Sequence, residues 1–416
     1  MNVWGMRIIS IIAAFAGCFL IQQLFGMPGD DYVVRMGVLA GLYVTLAVSL
    51  NLINGITGQF SIGHAAFYHV GAYSMGYLSV VLFGAAQNNP SLAWITNMPL
   101  WAWVLLLVPV GALTAAIAGL IVGLPSLKLR GDYLAIVTLG FGEIIRIATN
   151  NIEEIGGSYG LEHIPKADPL HIIFLVWMLA IVCIAVSRNL LKTAHGLPFL
   201  AVREDEVAAG AMGVNVTKTK VIAFLIGSSF AGAAGVLFAH HEGFITPDNF
   251  KMEISFIILT MVVLGGTGSI TGSTLAAIAL FGLPELLRSF KNGEGEPLTL
   301  PGSMLVGYII AMMVTVAAVR WIEGNYHEEL GKRVVAYLGG VGGGLVVGFL
   351  LHLGFAQIDV LATTTYKVSE LRMVIFAAAL IIVMLLRPQG VLAHHEFSWD
   401  WVKSLFNKKS SEEAAA

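Results

Sequence analysis

Charge is what this sequence of 416 residues has least of: 12% of it is Asp, Glu, Lys or Arg, against roughly 25% in ordinary soluble domains. A chain that is 57% hydrophobic, with mean hydropathy +0.81, carries more apolar surface than a water-soluble fold can bury. Its class is therefore a membrane protein, with the lipid bilayer as its first partner. A net charge of −3 excludes a broadly basic surface, so no nucleic-acid partner is expected. The only two cysteines, Cys18 and Cys183, sit inside apolar runs; they exclude a disulfide framework and read as packing residues. Chemistry-bearing motifs are missing too. There is no GxxxxGK[ST] phosphate loop, no HExxH, no GxSxG and no Cys/His cluster. No catalytic residue, metal site or cofactor of the chain's own is expected. A channel would want rings of charge or repeated filter loops, and neither is present.

What is present is a series of apolar runs: 8–26, 33–53, 62–83, 101–124, 132–149, 170–187, 219–240, 254–288, 303–322, 334–353 and 371–386. The run 254–288 is too long for one crossing and is interrupted by GGTGSITG (265–272). It reads as two short helices meeting at a Gly-rich turn, which makes twelve crossings. The first run contains FAGC, loosely similar to a lipoprotein cleavage site, but it continues past Cys18 to helix length, so a retained span is expected. The fold class is all-α and polytopic. With the N-terminus in the cytoplasm, most of the 23 Lys and Arg fall on the cytoplasmic side. The acidic segments 29–31 and 150–157 then lie outside, and both termini inside.

Two stretches depart from lipid-facing sequence. One is the longest cytoplasmic loop, 188–218, which contains GLPFLAVREDEVAAGAMGVNV (196–216). It reads as a helix entered at Pro198, with Glu204, Asp205 and Glu206 in a first turn that favours acid. Gly213 and then Asn215 offer a left-handed stop. Ala208, Ala209, Gly210 and Ala211 would let another surface approach closely. A helix resting on lipid headgroups should carry a Lys/Arg-rich face; this acidic one suits a protein partner. The other stretch is a polar, Gly-rich neck holding Asn51, Asn54, Gln59, Ser61, His64 and His69. Close helix packing with side chains hydrogen-bonding across the gap and the lining of a solute pathway are both open readings. Glu143 and Arg146 share a helix face and read as a pair. An ion-coupled secondary transporter would want ionisable groups in mid-span and has no need of 196–216. A membrane scaffold or receptor would not need the neck.

The motifs SLNLINGITGQFSIGHAAFYHVGAY (49–73), LKLRGDYLAIVTLGFGEIIRI (127–147), GGSYGLEHIP (156–165), GLPFLAVREDEVAAGAMGVNV (196–216), VVLGGTGSITG (262–272) and LRMVIFAAALIIVMLLRPQGV (371–391) together resemble the LivM-type permease family of bacterial branched-chain amino acid ABC importers. The resemblance implies an inner-membrane permease subunit that moves Leu, Ile or Val by alternating access. Its partners would be a homologous second permease, two cytoplasmic ATPase subunits that bind and hydrolyse the ATP, and a periplasmic amino-acid-binding protein. It implies that 196–216 docks on an ATPase, with Arg203, Glu204, Asp205, Glu206, Ala208 and Gly213 as coupling residues. The substrate pathway is expected beside Asn51, Asn54, Gln59, Ser61 and His64. The family also includes urea and short-chain amide permeases, so substrate is less fixed than family. The chain departs from the family between 290 and 370, where about 80 residues with two apolar runs replace a short connection. The expected organisation is a permease core over 1–290 with its coupling loop 188–218, an inserted hairpin over 291–370, a final core span over 371–391, and a cytoplasmic tail over 392–416.

Overall fold

A computed structural model describes residues 3–27, 31–126 and 132–289 continuously, with 299–304, 346–355, 365–367 and a few isolated positions beyond them. The final span 371–391, the tail 392–416 and most of the two insertion runs lie outside the described residues. The described residues fall into two compact units, one ending at Ile278 and one beginning at Ala279.

In the first unit the apolar runs become helices: α1 (Val3–Gly26), α2 (Asp31–Asn51), α3 (His64–Asn88), the short α4 (Ala93–Asn97), α5 (Leu100–Ser126), α6 (Asp132–Asn150) and α7 (Pro169–Lys192). The loop segment supplies α8 (Leu197–Glu204) and α9 (Glu206–Ala211). Then come α10 (Val216–Glu242), α11 (Met252–Gly265) and α12 (Ile270–Ser289), of which only residues 270–278 belong to this unit. The run 254–288 is indeed two helices, α11 and α12, joined at residues 266–269. Among the described residues five helices are long and apolar enough to cross a membrane: α2 with its extension to Ile56, α3, α5, α7 and α10. At 14 residues α11 rises only about 21 Å, less than a hydrocarbon core of roughly 30 Å.

The centre of the bundle is α10 packed between α5 and α3, with α2 against α7 beside it. Glycine makes the three-helix contact possible. A Cβ on Gly71 would stand 2.1 Å from the Gly232 carbonyl oxygen, and one on Gly235 would stand 2.1 Å from that of Tyr68. Backbones approach this closely in membranes because dispersion and hydrogen bonds, not water exclusion, hold helices together. A buried chain adds to this: Trp103 Nε1 donates to Ser79 Oγ at 3.0 Å, and Ser79 Oγ lies 2.8 Å from His240 Nε2. It links α5, α3 and α10. Cys18 and Cys183 are buried and free, as packing residues should be.

The two ends of this unit are distinguishable. At one, the loop after α6 pairs with the loop after α10 through an isolated bridge, Leu161 to Ile245. Arg146 bonds Glu143 there, Nε to Oε2 at 2.9 Å, so these two residues do form the expected pair. At the other end lies the 193–215 connection. In the second unit, β1 (Thr299–Pro301) pairs antiparallel with β2 (Thr365–Lys367), and Ser303 Oγ lies 3.1 Å from His352 Nδ1. The all-α class holds for the bundle; residues 299–301 and 365–367 add this short ribbon.

Candidate functional site

The neck is a break in two helices laid against each other. α2 ends in a π-helical turn, Leu52–Ile56, closed by Thr57 Oγ1 donating to the Leu52 carbonyl at 2.8 Å. π turns are rare and gather at functional sites. Gly58 follows with φ +72°, a left-handed conformation that suits glycine, and the chain stays irregular until α3 starts at His64. Gly227 of α10 faces Ile53 and the Ser49 carbonyl. Eleven residues separate it from the start of α10, so the break lies about 16 Å inside that helix. Irregular backbone at such depth survives only where protein or a polar cavity surrounds it.

Asn51 and Asn54 provide that surrounding. Asn51 Nδ2 donates to the Ser269 carbonyl at 3.0 Å, and its Oδ1 accepts from the Gly268 N–H at 2.8 Å. It thereby clamps the α2 end to the turn between α11 and α12. Asn54 spans the neck, donating to the Ser61 carbonyl at 2.9 Å and accepting from the Ser61 N–H at 3.2 Å. Two distant helices supply further partners: the Ile62 N–H donates to Thr138 Oγ1 of α6, and the Ala65 N–H to Ser255 Oγ of α11. His64 Nε2 lies 2.8 Å from Ser49 Oγ. Gly55 is compulsory, because a Cβ there would stand 2.2 Å from the Gly268 nitrogen.

The remaining polar groups of the neck are buried without a protein partner. These are both amide atoms of Gln59, Ser61 Oγ, His64 Nδ1 and His69 Nε2. A buried polar atom left unbonded costs about 1–3 kcal/mol. So the five predicted residues separate: Asn51 and Asn54 are spent on the backbone, whereas Gln59, Ser61 and His64 keep hydrogen-bonding capacity.

The 196–216 segment also differs from its reading as one helix. Asp205 is extended (φ −157°, ψ 115°) and divides it into α8 and α9. Its carboxylate accepts from the Val207 and Ala208 N–H groups at 2.7 and 3.0 Å, the standard cap for a helix start. Those bonds, Ala208 first, hold its pKa below the ordinary carboxylate value. Glu204 thus ends one helix and Glu206 begins another; they do not share a first turn. Pro198 opens α8 as expected, and Gly213 is left-handed at φ +87°. Asn215 is not part of the stop: it caps α10, its Oδ1 accepting from the Lys218 N–H at 2.9 Å. Glu206 is paired with Lys220, whose side chain is 5% exposed on α10. On the open side α9 shows Val207, Ala208 and Met212.

The two sets of predicted residues meet. The ideal Cβ position of Gly58 lies 3.2 Å from Arg203 Cα, and that of Gly268 lies 2.6 Å from Arg203 Nη1. Sequence reasoning missed Thr138, Ser255, Gly268, Ser269 and Lys220. The first four act through contacts between residues far apart in the chain. Lys220 gave a signal in its place at the head of an apolar run. Among the described residues no group of three His, Cys, Asp or Glu could hold a metal.

The family described as "Branched-chain amino acid transport system / permease component" matches residues 32–319. The high-affinity branched-chain amino acid transport system permease protein LivM of Salmonella typhimurium is 35% identical over 305 residues, 66% of this chain and 67% of that protein. The protein of the same description from Escherichia coli shows the same identity and coverage. The autoinducer 2 import system permease protein LsrC of Klebsiella pneumoniae is 28% identical over 207 residues, 48% of this chain and 60% of that one. No solved structure matches the chain.

Proposed function

The chain belongs to the family of permease components of branched-chain amino acid transport systems, and from that premise we propose that it is the permease subunit of an ATP-driven importer carrying Leu, Ile and Val by alternating access. It is a multi-pass membrane transport component rather than an enzyme. With no phosphate loop in its sequence, the chain takes its energy from two ATPase subunits on the cytoplasmic side of the inner membrane. A second, homologous permease completes the pathway and a periplasmic binding protein delivers the amino acid. Both termini and residues 188–218 face the cytoplasm.

One observation carries this reading: α8 and α9 form a capped elbow that touches the broken helices on one side and exposes Val207, Ala208 and Met212 on the other. Such an elbow is a handle for the ATPases. The route runs beside Gln59, Ser61 and His64. A zwitterion needs hydrogen bonds at membrane depth, and neutral groups give them without the tight hold that would stall release. A second reading, a different small polar solute, is favoured by the likeness to autoinducer 2 import permeases.

The test is uptake of labelled leucine by the complete complex in vesicles, with ATP hydrolysis followed in parallel. Glu204→Lys and Ala208→Trp should leave assembly intact and uncouple hydrolysis from uptake. Normal uptake by normally assembled variants would remove the handle. Uptake of other solutes with none of leucine would favour the second reading.

A further inference from the structure

Arg203 stands where three helices end. It lies in the last turn of α8, against Gly58, two residues past the π-extended end of α2, and against Gly268 in the turn that follows α11. Helix C-termini carry partial negative charge, which favours a cation placed beside them. The guanidinium's planar fork of donors can serve several acceptors at once, which an ammonium cannot do as well. The approach is close at both glycines. A Cβ on Gly58 would stand 3.3 Å from Arg203 Cγ, and one on Gly268 2.6 Å from Nη1. Both glycines have left-handed φ, +72° and +93°.

The parts around Arg203 divide into rigid and adjustable. The Asp205 break lets α8 and α9 turn separately, and the Glu206–Lys220 pair holds α9 to α10. The bend at 55–58 and the turn at 266–269 interrupt the regular helices, and Asn51 bonds one to the other. A change of tilt in α8 therefore reaches both breaks through one side chain.

We infer that Arg203 is the positioning residue that transmits movement of the α8–α9 elbow to the neck, and that Asn51 makes the Gly55–Gly58 bend and the Gly266–Ser269 turn move together. This rests on the reading of the elbow as the ATPase handle. Arg203 touches no solute; it sets which state of the neck accompanies which state of the ATPases. Coupling between sites typically spans 5- to 150-fold, so its loss should lower leucine uptake per ATP hydrolysed by about tenfold or more.

The experiment uses the complete complex with Cys18 and Cys183 replaced by Ala. Met212→Cys cross-linking to the ATPase subunits reports docking. The rate at which a small thiol reagent labels Phe60→Cys in the neck, with and without trapped ATP, reports transmission; Phe60 is 40% exposed. Expected for Arg203→Ala are retained cross-linking, continued hydrolysis, loss of uptake, and a Phe60→Cys labelling rate that no longer changes with ATP. Retained cross-linking with an unchanged ATP-dependent labelling rate and normal uptake overturns the inference and leaves the handle standing. Absence of cross-linking in the otherwise unaltered complex overturns the handle, and the inference with it. If Arg203→Ala does not assemble, Arg203→Gln, which keeps most of the stem without the charge, carries the same expectations. Failure of both to assemble makes Arg203 a folding residue and overturns the inference.

Discussion

Gly71, Gly232 and Gly235 show what a single hydrogen in place of a methyl decides. Each faces backbone or Cβ atoms at distances no Cβ can share. Gly235→Val is expected to cost about 1–3 kcal/mol or more through overpacking, seen as a lower unfolding temperature in detergent. Gly84, which faces open space, should accept alanine with little change in the same assay. Gln59 gives the opposite kind of prediction. Its amide is buried and unbonded, so Gln59→Leu removes an unsatisfied group and should leave the unfolding temperature equal or higher. Leucine uptake should nevertheless fall if the amide meets the solute. Asn54→Leu cannot make that distinction, because both ends of its amide hold Ser61 and their loss destabilises the neck.

Among the elements, the α8–α9 elbow was legible in its existence and ends and illegible in its middle. Pro198 and Gly213 punctuate it for local reasons that any chain would obey. The break at Asp205 was hidden because a run of acids suits one first turn as well as a cap. The same run concealed that Glu206 has a buried partner. Removing one member of a fully buried pair costs roughly 3–5 kcal/mol; with Glu206 partly exposed the loss should be smaller. Glu206→Lys should thus free α9 from α10, read as faster hydrogen exchange at its amides. Adding Lys220→Met to Glu206→Gln should restore protection, since two neutral side chains leave no buried charge. Uncoupling in Glu206→Lys would therefore report lost local structure, whereas Ala208→Trp probes the exposed surface; Glu204 itself lies 3.7 Å from the Arg203 guanidinium.

For the molecule as a whole, the opposite ends of the bundle predict a labelling pattern. Single cysteines in 196–213 should react with an impermeant reagent from one side of the membrane only, and those in 151–163 from the other side only. On the Lys and Arg distribution the first side is expected to be the cytoplasmic one. Labelling of both segments from the same side would break the α7 or α10 crossing. The family match covers residues 32–319, so the neck, the elbow and most of the run 303–322 fall inside it, while the runs 334–353 and 371–386 lie beyond it.

The class, the eight apolar runs of residues 8–288 that became helices and the helix pair within 254–288 could be read from the sequence alone, and it singled out the two polar stretches proposed as functional. Those properties follow from composition, run length and turn chemistry, which act over a few residues. Only the tertiary structure decided that Asn51 is a clamp, that Gln59, Ser61 and His64 keep free hydrogen-bonding groups, and that Arg203 reaches the neck. Each depends on a partner far along the chain: Asn51 meets Gly268 and Ser269 across more than two hundred residues. An amide looks the same in sequence whether its partner is backbone, water or a solute, because only packing determines what stands within three ångströms of it.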